Sequence, residues 1–152
     1  MNNHNCPLLA VDVLVCTEKG LALIERKFPP LGWAIPGGFV DYGESLETAA
    51  CREMKEELNI SLAPSDLVLV GVWSDPGRDP RKHVVSAVFV AKSTETPVAG
   101  DDAKTVKIYP FSAMPDTLCF DHRNIIETAS KMNLIPPVWF ITSKECAWEQ
   151  YL

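Results

Sequence analysis

The sequence predicts an α+β fold, an α/β/α sandwich in which a mixed β-sheet lies between helices. Two observations predict it. Runs rich in β-branched residues recur along most of the chain, and a segment of helical period interrupts them between Ser45 and about Leu58. The 152 residues fit a domain of ordinary size, so we expect a single domain over residues 1–152.

The elements are predicted in order from local composition. Residues 8–15 and 21–25 flank the turn TEKG and should pair, and residues 33–35 form a short strand that ends at PGG. LVLVGVW, VVSAVFVA and KTVKIY predict later strands. A second helix is expected over about residues 124–132, with Asp121 or His122 near its start. The tail predicts a short strand and a last helix capped by Thr142 and Glu145.

Composition and charge exclude several classes of protein. The chain is 47% hydrophobic, and no apolar run approaches the roughly 18 residues that a membrane span needs. The start has no basic leader, and the five cysteines are scattered, so we expect a cytoplasmic protein without disulfides or a zinc site. A net charge of -6 disfavours nucleic-acid binding, and a phosphate substrate would need cations supplied locally.

The acidic helix places carboxylates beside its apolar stripe. At about 100° per residue from Leu46, Glu57 falls at about 20°, Glu53 at about 340° and Glu56 at about 280°. A solvated face with ion pairs is the ordinary interpretation, but it leaves Glu57 inside the stripe, where an uncompensated charge is costly. Arg52 can offset one carboxylate, so a further positive charge is needed. A divalent hard cation such as Mg²⁺ is the economical source.

The turn before the helix contains three glycines. Gly37, Gly38 and Gly43 stand where a backbone approaches a ligand or adopts positive φ, and Pro36 restricts the entry to the turn. Such a loop can offer a carbonyl oxygen to a metal ion. The sequence PGG is also a common turn in proteins without any such site.

Together these residues resemble the signature of the Nudix hydrolases, G-x5-E-x7-R-E-U-x-E-E-x-G-U, in which U is apolar. Asn59 stands where the family has glycine, and asparagine tolerates positive φ better than most residues. The resemblance implies a Nudix fold with a mixed sheet and the loop-helix-loop of that family. The matching positions are Gly38, Glu44, Arg52, Glu53, Met54, Glu56, Glu57 and Ile60.

The resemblance also implies roles for these residues. Glu53, Glu56 and Glu57 would bind Mg²⁺ or Mn²⁺, with the Gly37 or Gly38 carbonyl as a further ligand. In the catalytic set, Arg52 would pair with Glu44 or with a metal-binding glutamate and hold the carboxylates in place. The implied reaction is hydrolysis of a nucleoside diphosphate linked to another moiety, with water as the nucleophile.

The general base stays open at this point. Glu53 and Glu56 are candidates within the helix. Nudix enzymes also recruit an acid from a later loop, and here Glu95, Asp101 and Asp102 are available.

A basic loop follows the fourth predicted strand. Arg78 and Arg81 stand in WSDPGRDPRKHVVS together with a lysine and a histidine, and guanidinium groups match phosphate oxygens in pairs. We expect phosphate or ribose recognition here, and an exposed basic hairpin loop is the alternative. With Pro76 and the later FDHRNII, this segment resembles the ADP-ribose pyrophosphatase branch. That resemblance implies cleavage of ADP-ribose to AMP and ribose 5-phosphate.

Four aromatic side chains are candidates for stacking on a base. Phe28 and Trp73 are assigned to the substrate site, with Trp33 and Phe39 as further candidates. Core packing is the commoner role for each of them.

Two other functions remain open. One is a nucleoside-triphosphate pyrophosphohydrolase that removes damaged nucleotides. The other is a non-catalytic ADP-ribose sensor, because some transcription regulators contain a similar domain, although residues after Met132 are too few for their winged helix. A homodimer through the aromatic tail is a further expectation, with its candidate residues at Trp139, Phe140, Trp148 and Tyr151.

Overall fold

The computed structural model describes residues 5–100 and 103–141. Within those ranges it contains one seven-stranded mixed sheet, a two-stranded sheet and two α-helices. A short 3-10 helix spans Pro64–Asp66. In chain order the elements are β1 (Leu8–Thr17), β2 (Gly20–Arg26), β3 (Trp33–Ala34), β4 (Gly37–Phe39), α1 (Leu46–Leu58), β5 (Val68–Trp73), β6 (Val84–Lys92), β7 (Ala103–Tyr109), β8 (Met114–Pro115), α2 (His122–Lys131) and β9 (Phe140–Ile141).

Strand β1 organises the large sheet. It runs parallel to β6 over the full register from Leu8 to Cys16, and β6 pairs antiparallel with β5. On its other side β1 has two partners, because β2 pairs with its end and β4 with its beginning. Strands β3 and β7 both pair with β2. The pairing of β4 with β1 fixes the loop that enters α1 against the middle of the sheet.

The two faces of the sheet are covered by different helices. Val11, Val13 and Val15 of β1 belong to the apolar cluster that contains the buried side of α1. Leu14 belongs to the opposite cluster, which contains the buried side of α2. Burial on both faces explains why β1 reads as an almost continuous apolar run. The predicted α/β/α sandwich is confirmed.

Helix α1 has the predicted ends. The Ser45 hydroxyl accepts a hydrogen bond from the Thr48 N–H at 3.1 Å, which caps the first turn. At the other end Asn59 has φ 55°, and its side-chain amide donates to the Val98 carbonyl at 3.1 Å. The left-handed cap expected at Asn59 is therefore confirmed, and the amide contact adds a reason for asparagine there.

Several boundaries differ from the sequence predictions. The second helix begins at His122 rather than near residue 124, and β1 and β2 both extend beyond their predicted ends. Strand β4 contains Gly37 and Gly38, which the sequence assigned to a turn, because those residues complete a ladder with β1. The short strand expected in the tail is present as β9, whereas the capped helix from Thr142 lies outside the described residues.

Neither helix of the described chain is sufficiently long and apolar to span a bilayer. The expected homodimer is not addressed by a single chain. Of its tail residues, Trp139 is largely exposed, while Trp148 and Tyr151 fall outside the described residues.

Replacing Asn59 tests the cap of α1. We expect Asn59→Ala to lower the free energy of unfolding by about 1 kcal/mol, because alanine at positive φ brings its Cβ close to the carbonyl oxygen. Asn59→Gly should lose less, since glycine adopts this conformation without that contact. Urea unfolding of both variants measures the difference. Equal stability of the two variants would contradict a conformational role for this residue.

Candidate active site

The functional side chains converge on an open cleft of about 390 Å³. Its walls are the start of β1, the end of β2, strand β4, one side of α1, the loop before β6 and the start of α2. Acidic and basic side chains are mixed in this lining, as a metal-assisted phosphate site requires. The polar and aromatic lining residues are Asp12, Arg26, Lys27, Phe28, Phe39, Asp41, Arg52, Glu53, Glu57, Arg78, Asp79, Arg81, Phe120 and His122, together with Gly37 and Gly38.

Glu57 is held against strand β4. Its side chain projects from the buried side of α1 and the residue is only 6% exposed, as the helical projection predicted. The Gly37 N–H donates a hydrogen bond of 2.9 Å to Glu57 Oε2. A backbone donor partly compensates the desolvation of a buried carboxylate. This contact fixes one carboxylate of α1 on the wall of the cleft.

Glu53 lies one turn earlier on the same wall and is 9% exposed. Its carboxyl group packs directly on the backbone of Gly38, where a Cβ atom would overlap both carboxylate oxygens and the carboxyl carbon. A Cβ at Gly37 would similarly meet the backbone of Val11 and Asp12. Glycine is needed at both positions for close approach to neighbouring protein atoms. Gly43 is the turn glycine with positive φ, at 88°.

Arg52 joins the loop to the acidic side of α1. Its guanidinium donates to Glu44 Oε1 at 2.6 Å, to Glu53 Oε1 at 2.9 Å and to the Phe39 carbonyl at 2.9 Å. Hydrogen bonds to Glu44 raise the pKa of Arg52, and those from Arg52 lower the pKa of Glu44. Arg52 therefore contacts both of the partners that the sequence had left as alternatives.

Glu56 occupies a different position from the other two helix carboxylates. Its side chain is 54% exposed, and it accepts a longer hydrogen bond of 3.3 Å from Arg52. The cleft lining includes Glu53 and Glu57 but not Glu56. Across residues 5–100 and 103–141, no group of three His, Cys, Asp or Glu side chains is gathered as a preformed metal site. The structure thus brings together two of the three predicted carboxylates.

The donors that are present fit a hard cation. Glu53, Glu57, Gly37 and Gly38 line one wall of the cleft, and their carboxylate and carbonyl oxygens are the candidate ligands. Oxygen ligands of this kind suit Mg²⁺ and Mn²⁺, and Mg²⁺ commonly uses one or two carboxylates together with substrate phosphates.

Both predicted arginines of the basic loop reach the cleft, but each has a carboxylate partner. Arg78 binds Asp121 through Nε at 2.9 Å and Nη2 at 2.7 Å, and its side chain is 5% exposed. Arg81 binds Asp79 in the same two-pronged way, and its side chain is 43% exposed. Burial raises the pKa of Asp79, but the hydrogen bonds and charge of Arg81 outweigh it and leave that pKa below its usual value. The positive charge of the loop is therefore offset more than the sequence suggested, by Asp79 within the loop and by Asp121 at the start of α2.

The aromatic candidates separate into two groups. Phe28 and Phe39 line the cleft and are 64% and 45% exposed. Trp73 does not line it: its indole N–H donates to Asn124 Oδ1 at 2.9 Å, and the ring packs with the α2-side cluster. Trp33 packs in the same cluster, edge-on to Tyr109. The assignment of Trp73 to the substrate site is thereby corrected, because β5 directs it towards α2.

Among the described residues, the candidate for a general base from a later loop does not appear in the cleft lining. Glu95 accepts a hydrogen bond from the Ser61 N–H at 2.7 Å and is absent from the cleft lining. It stabilises the loop after α1 instead. Asp101 and Asp102 lie outside the described residues.

Sequence reasoning missed a buried polar group in the wall of the cleft. His122 Nδ1 accepts a hydrogen bond from the Ile35 N–H at 2.9 Å, so a neutral ring carries its proton on Nε2, 3.9 Å from Asp12 Oδ1. The Ser86 hydroxyl donates to the other oxygen of Asp12. Burial lowers the pKa of His122. No local pattern could reveal this group, since 87 positions separate His122 from Ile35.

Comparison with known proteins agrees with this geometry. The family model described as the NUDIX domain matches residues 7–129. The chain is 43% identical over 124 residues to an ADP-ribose pyrophosphatase of Methanocaldococcus jannaschii, covering 80% of this chain and 72% of the relative. The chain therefore belongs to the Nudix family, and it is a Nudix pyrophosphohydrolase.

Two solved structures share the fold. A bifunctional NMN adenylyltransferase/ADP ribose pyrophosphatase from Francisella tularensis, complexed with AMP and a manganese ion, is 28% identical with a TM-score of 0.74. The match covers 86% of this chain and 43% of that one. The NUDIX domain of NrtR from Shewanella oneidensis, complexed with ADP ribose, is 27% identical with a TM-score of 0.74. That match covers 87% of this chain and 91% of the other.

Substitution of Gly38 tests the packing of Glu53. We expect Gly38→Ala to reduce turnover of a diphosphate substrate at least about tenfold, or about 1.4 kcal/mol of barrier, because the added methyl group displaces the Glu53 carboxylate. Gly71→Ala is the matched control, since its Cβ would meet only the Trp73 ring, at 3.3 Å. Steady-state kinetics with Mg²⁺ measure both. Unchanged turnover in Gly38→Ala would contradict the geometry.

Burial of His122 predicts a pH dependence of stability. Its folded-state pKa lies below the ordinary value of 6.5, so the unfolded chain takes up a proton first as the pH falls. The associated stability is complete above about pH 6.5 and is lost as the pH falls towards the folded-state pKa. We expect His122→Asn to reduce the decrease in melting temperature between pH 7.5 and about 5.5. His83→Asn, at an exposed histidine, should retain the wild-type decrease.

Proposed function

We propose that the protein hydrolyses ADP-ribose to AMP and ribose 5-phosphate in a reaction that requires Mg²⁺ or Mn²⁺. One observation carries the proposal: two carboxylates of α1, Glu53 and Glu57, are packed against Gly38 and Gly37 on the wall of a cleft that also contains basic groups. Buried carboxylates on a substrate-sized cleft are costly without a function.

Glu53 and Glu57 would hold the cation together with a Gly37 or Gly38 carbonyl, and Glu56 would join them when the Arg52 contact is exchanged for the metal. When bound, the ion lowers the pKa of water and neutralises diphosphate oxygens. In the net reaction a bond forms between the water oxygen and phosphorus, one P–O bond of the diphosphate breaks, and the second phosphate leaves with the bridging oxygen. Glu53 and Glu56 are the proposed acceptors of the water proton.

Arg52 and Glu44 act by positioning. The Arg52 guanidinium lies among Glu44, Glu53 and Glu56 and bonds the Phe39 carbonyl, so it restrains both the carboxylates and the loop. Like charges spaced three and four residues apart on a helix repel each other, and a fixed guanidinium offsets that repulsion.

Arg78 and Arg81 are proposed to contact the substrate from the cleft lining while each remains paired with its carboxylate. Arg81 is the more exposed of the two and keeps donors available beyond its Asp79 contact. Phe28, which is 64% exposed at the cleft, is the proposed stacking partner for the base.

Two relatives support ADP-ribose as the substrate. The Methanocaldococcus relative is named for this activity, and its match extends across most of both chains. The bifunctional Francisella protein carries AMP and manganese, which agree with the proposed product and cofactor. A cytoplasmic location and a homodimer stay predictions.

The alternatives are a nucleoside-triphosphate pyrophosphohydrolase and a non-catalytic ADP-ribose sensor. The ADP-ribose complex of the NrtR domain is the observation that favours the sensor, since a close fold can bind this ligand. The retained acidic residues of α1 favour catalysis.

Substrate preference is tested with a panel. Release of AMP and ribose 5-phosphate from ADP-ribose should depend on Mg²⁺ and exceed the hydrolysis of dNTPs, NADH and sugar nucleotides, with EDTA as the control. Faster cleavage of a dNTP would replace the substrate assignment. Tight ADP-ribose binding without cleavage in Mg²⁺ or Mn²⁺ would point to the sensor.

Glu57→Gln tests the metal site. We expect at least a 100-fold loss of turnover, equivalent to about 2.7 kcal/mol of barrier, because the amide keeps an acceptor for Gly37 but removes the charge that holds the cation. Glu127→Gln is the matched control at a partly exposed position of α2 outside the cleft lining. Retained turnover in Glu57→Gln would refute the assignment.

A further inference from the structure

Arg26 is a basic residue of the cleft that the loop-based sequence interpretation overlooked. It is the last residue of β2 and lines the cleft near Phe28. Its backbone N–H bonds the Gly32 carbonyl at 2.9 Å, and its side-chain Nε donates to the Pro30 carbonyl at 2.8 Å. Two hydrogen bonds to the loop between β2 and β3 therefore fix the Arg26 backbone and the Nε end of its guanidinium group.

The Arg26 guanidinium also lies over an aromatic ring. Its central carbon is 5.1 Å from the centroid of Phe120, and the Arg81 guanidinium carbon is 5.5 Å from the same centroid. Such cation–π contacts stabilise a guanidinium by about 0.5–1 kcal/mol at exposed sites and by more when water is excluded. Phe120 thus joins two cationic side chains from different segments at one side of the cleft.

The backbone of Phe120 supports a specific role for this ring. Its φ is 57°, which is unusual for a bulky residue. Conformations of this kind cost about 1–3 kcal/mol and persist where surrounding contacts impose them, often at ligand sites. The adjacent Cys119 N–H donates to the Trp33 carbonyl at 2.9 Å and anchors the segment.

Arg26 differs from the other arginines of the cleft in the groups that its guanidinium contacts. Arg52, Arg78 and Arg81 each form ion pairs with carboxylates. Within residues 5–100 and 103–141 the partners of the Arg26 side chain are a carbonyl oxygen and an aromatic ring, with no carboxylate among them. Both of its Nη groups therefore keep their donors for an anion that enters the cleft.

We propose that Arg26, held on the Phe120 ring, binds a phosphate group of the substrate and is a specificity-determining residue for nucleoside diphosphate compounds. The planar fork of the guanidinium matches two phosphate oxygens, which a lysine ammonium does not. The proposal rests on the proposed function only in requiring a diphosphate substrate. It does not require that substrate to be ADP-ribose.

Substitutions at Arg26 test the proposal directly. Arg26→Gln should raise the KM for the substrate at least tenfold and leave kcat within about threefold, the pattern of an interaction present equally in ground and transition states. Arg26→Lys should give an intermediate KM because it keeps the charge and loses the fork. Calorimetric titration of ADP-ribose in EDTA should show the same order of affinities without any turnover.

Phe120→Leu separates the platform from the guanidinium. It retains apolar bulk for packing against the α1-side cluster but removes the aromatic face, so KM should rise by roughly threefold. Arg123→Gln is the matched control: the Arg123 guanidinium carbon lies 4.4 Å from the Phe140 centroid, outside the cleft. Its KM and binding affinity should equal those of the wild type, and melting temperatures check that all variants fold.

Two results would overturn the proposal: an Arg26→Gln variant whose KM and affinity match those of Arg123→Gln, or a loss confined to kcat. Failure of the proposed function has a different signature. If the wild type cleaves another diphosphate of the panel and not ADP-ribose, the substrate assignment fails, and the same variants are measured on the cleaved compound. If it binds ADP-ribose without cleavage, the calorimetric series alone decides the role of Arg26.

Discussion

The hydrogen bond from the Gly37 N–H to Glu57 is the contact on which the site depends. It joins α1 to β4, and β4 is in turn paired with the central strand β1. A carboxylate that projects from the buried side of a helix needs such a donor, because desolvation of an unpaired charge is unfavourable. The same contact sets the helix in register with the cleft, so one carboxylate is compensated and oriented at once.

The glycines of the loop follow from this constraint. Glu53 packs on Gly38 so closely that any side chain there would displace it, and Gly37 lies against the backbone of β1. Neither Gly37 nor Gly38 has a positive φ, so glycine is not needed there for its backbone conformation. They allow the carboxylates of α1 to pack directly on the backbone of the sheet, with no side chain between them. This close packing brings carboxylate and carbonyl oxygens together as candidate ligands for a hard cation.

Charge is distributed unevenly in this acidic protein. Several basic side chains gather at the cleft although the net charge is -6. Arg52 donates hydrogen bonds to carboxylates of α1. Arg78 is paired with Asp121, and Arg81 with Asp79. These ion pairs hold the arginine side chains in one conformation before substrate binds. Less side-chain entropy is therefore lost on binding. Arg26, with a carbonyl and a ring as partners, has a different electrostatic role from these residues.

The sequence by itself determined what depends on neighbouring positions along one element. The helical period placed Glu53 and Glu57 at the edge of the apolar stripe, Ser45 and Asn59 marked the helix ends, and the spacing of the acidic motif identified the family. The tertiary structure decided which distant segments meet. It directed Trp73 to α2 and paired Arg78 with the carboxylate of Asp121. It also brought His122 within hydrogen-bond distance of the Ile35 N–H and placed the Arg26 guanidinium over the Phe120 ring. Local patterns report the face on which a side chain lies, whereas partners separated by tens of residues are selected by strand order and packing, which no single segment encodes.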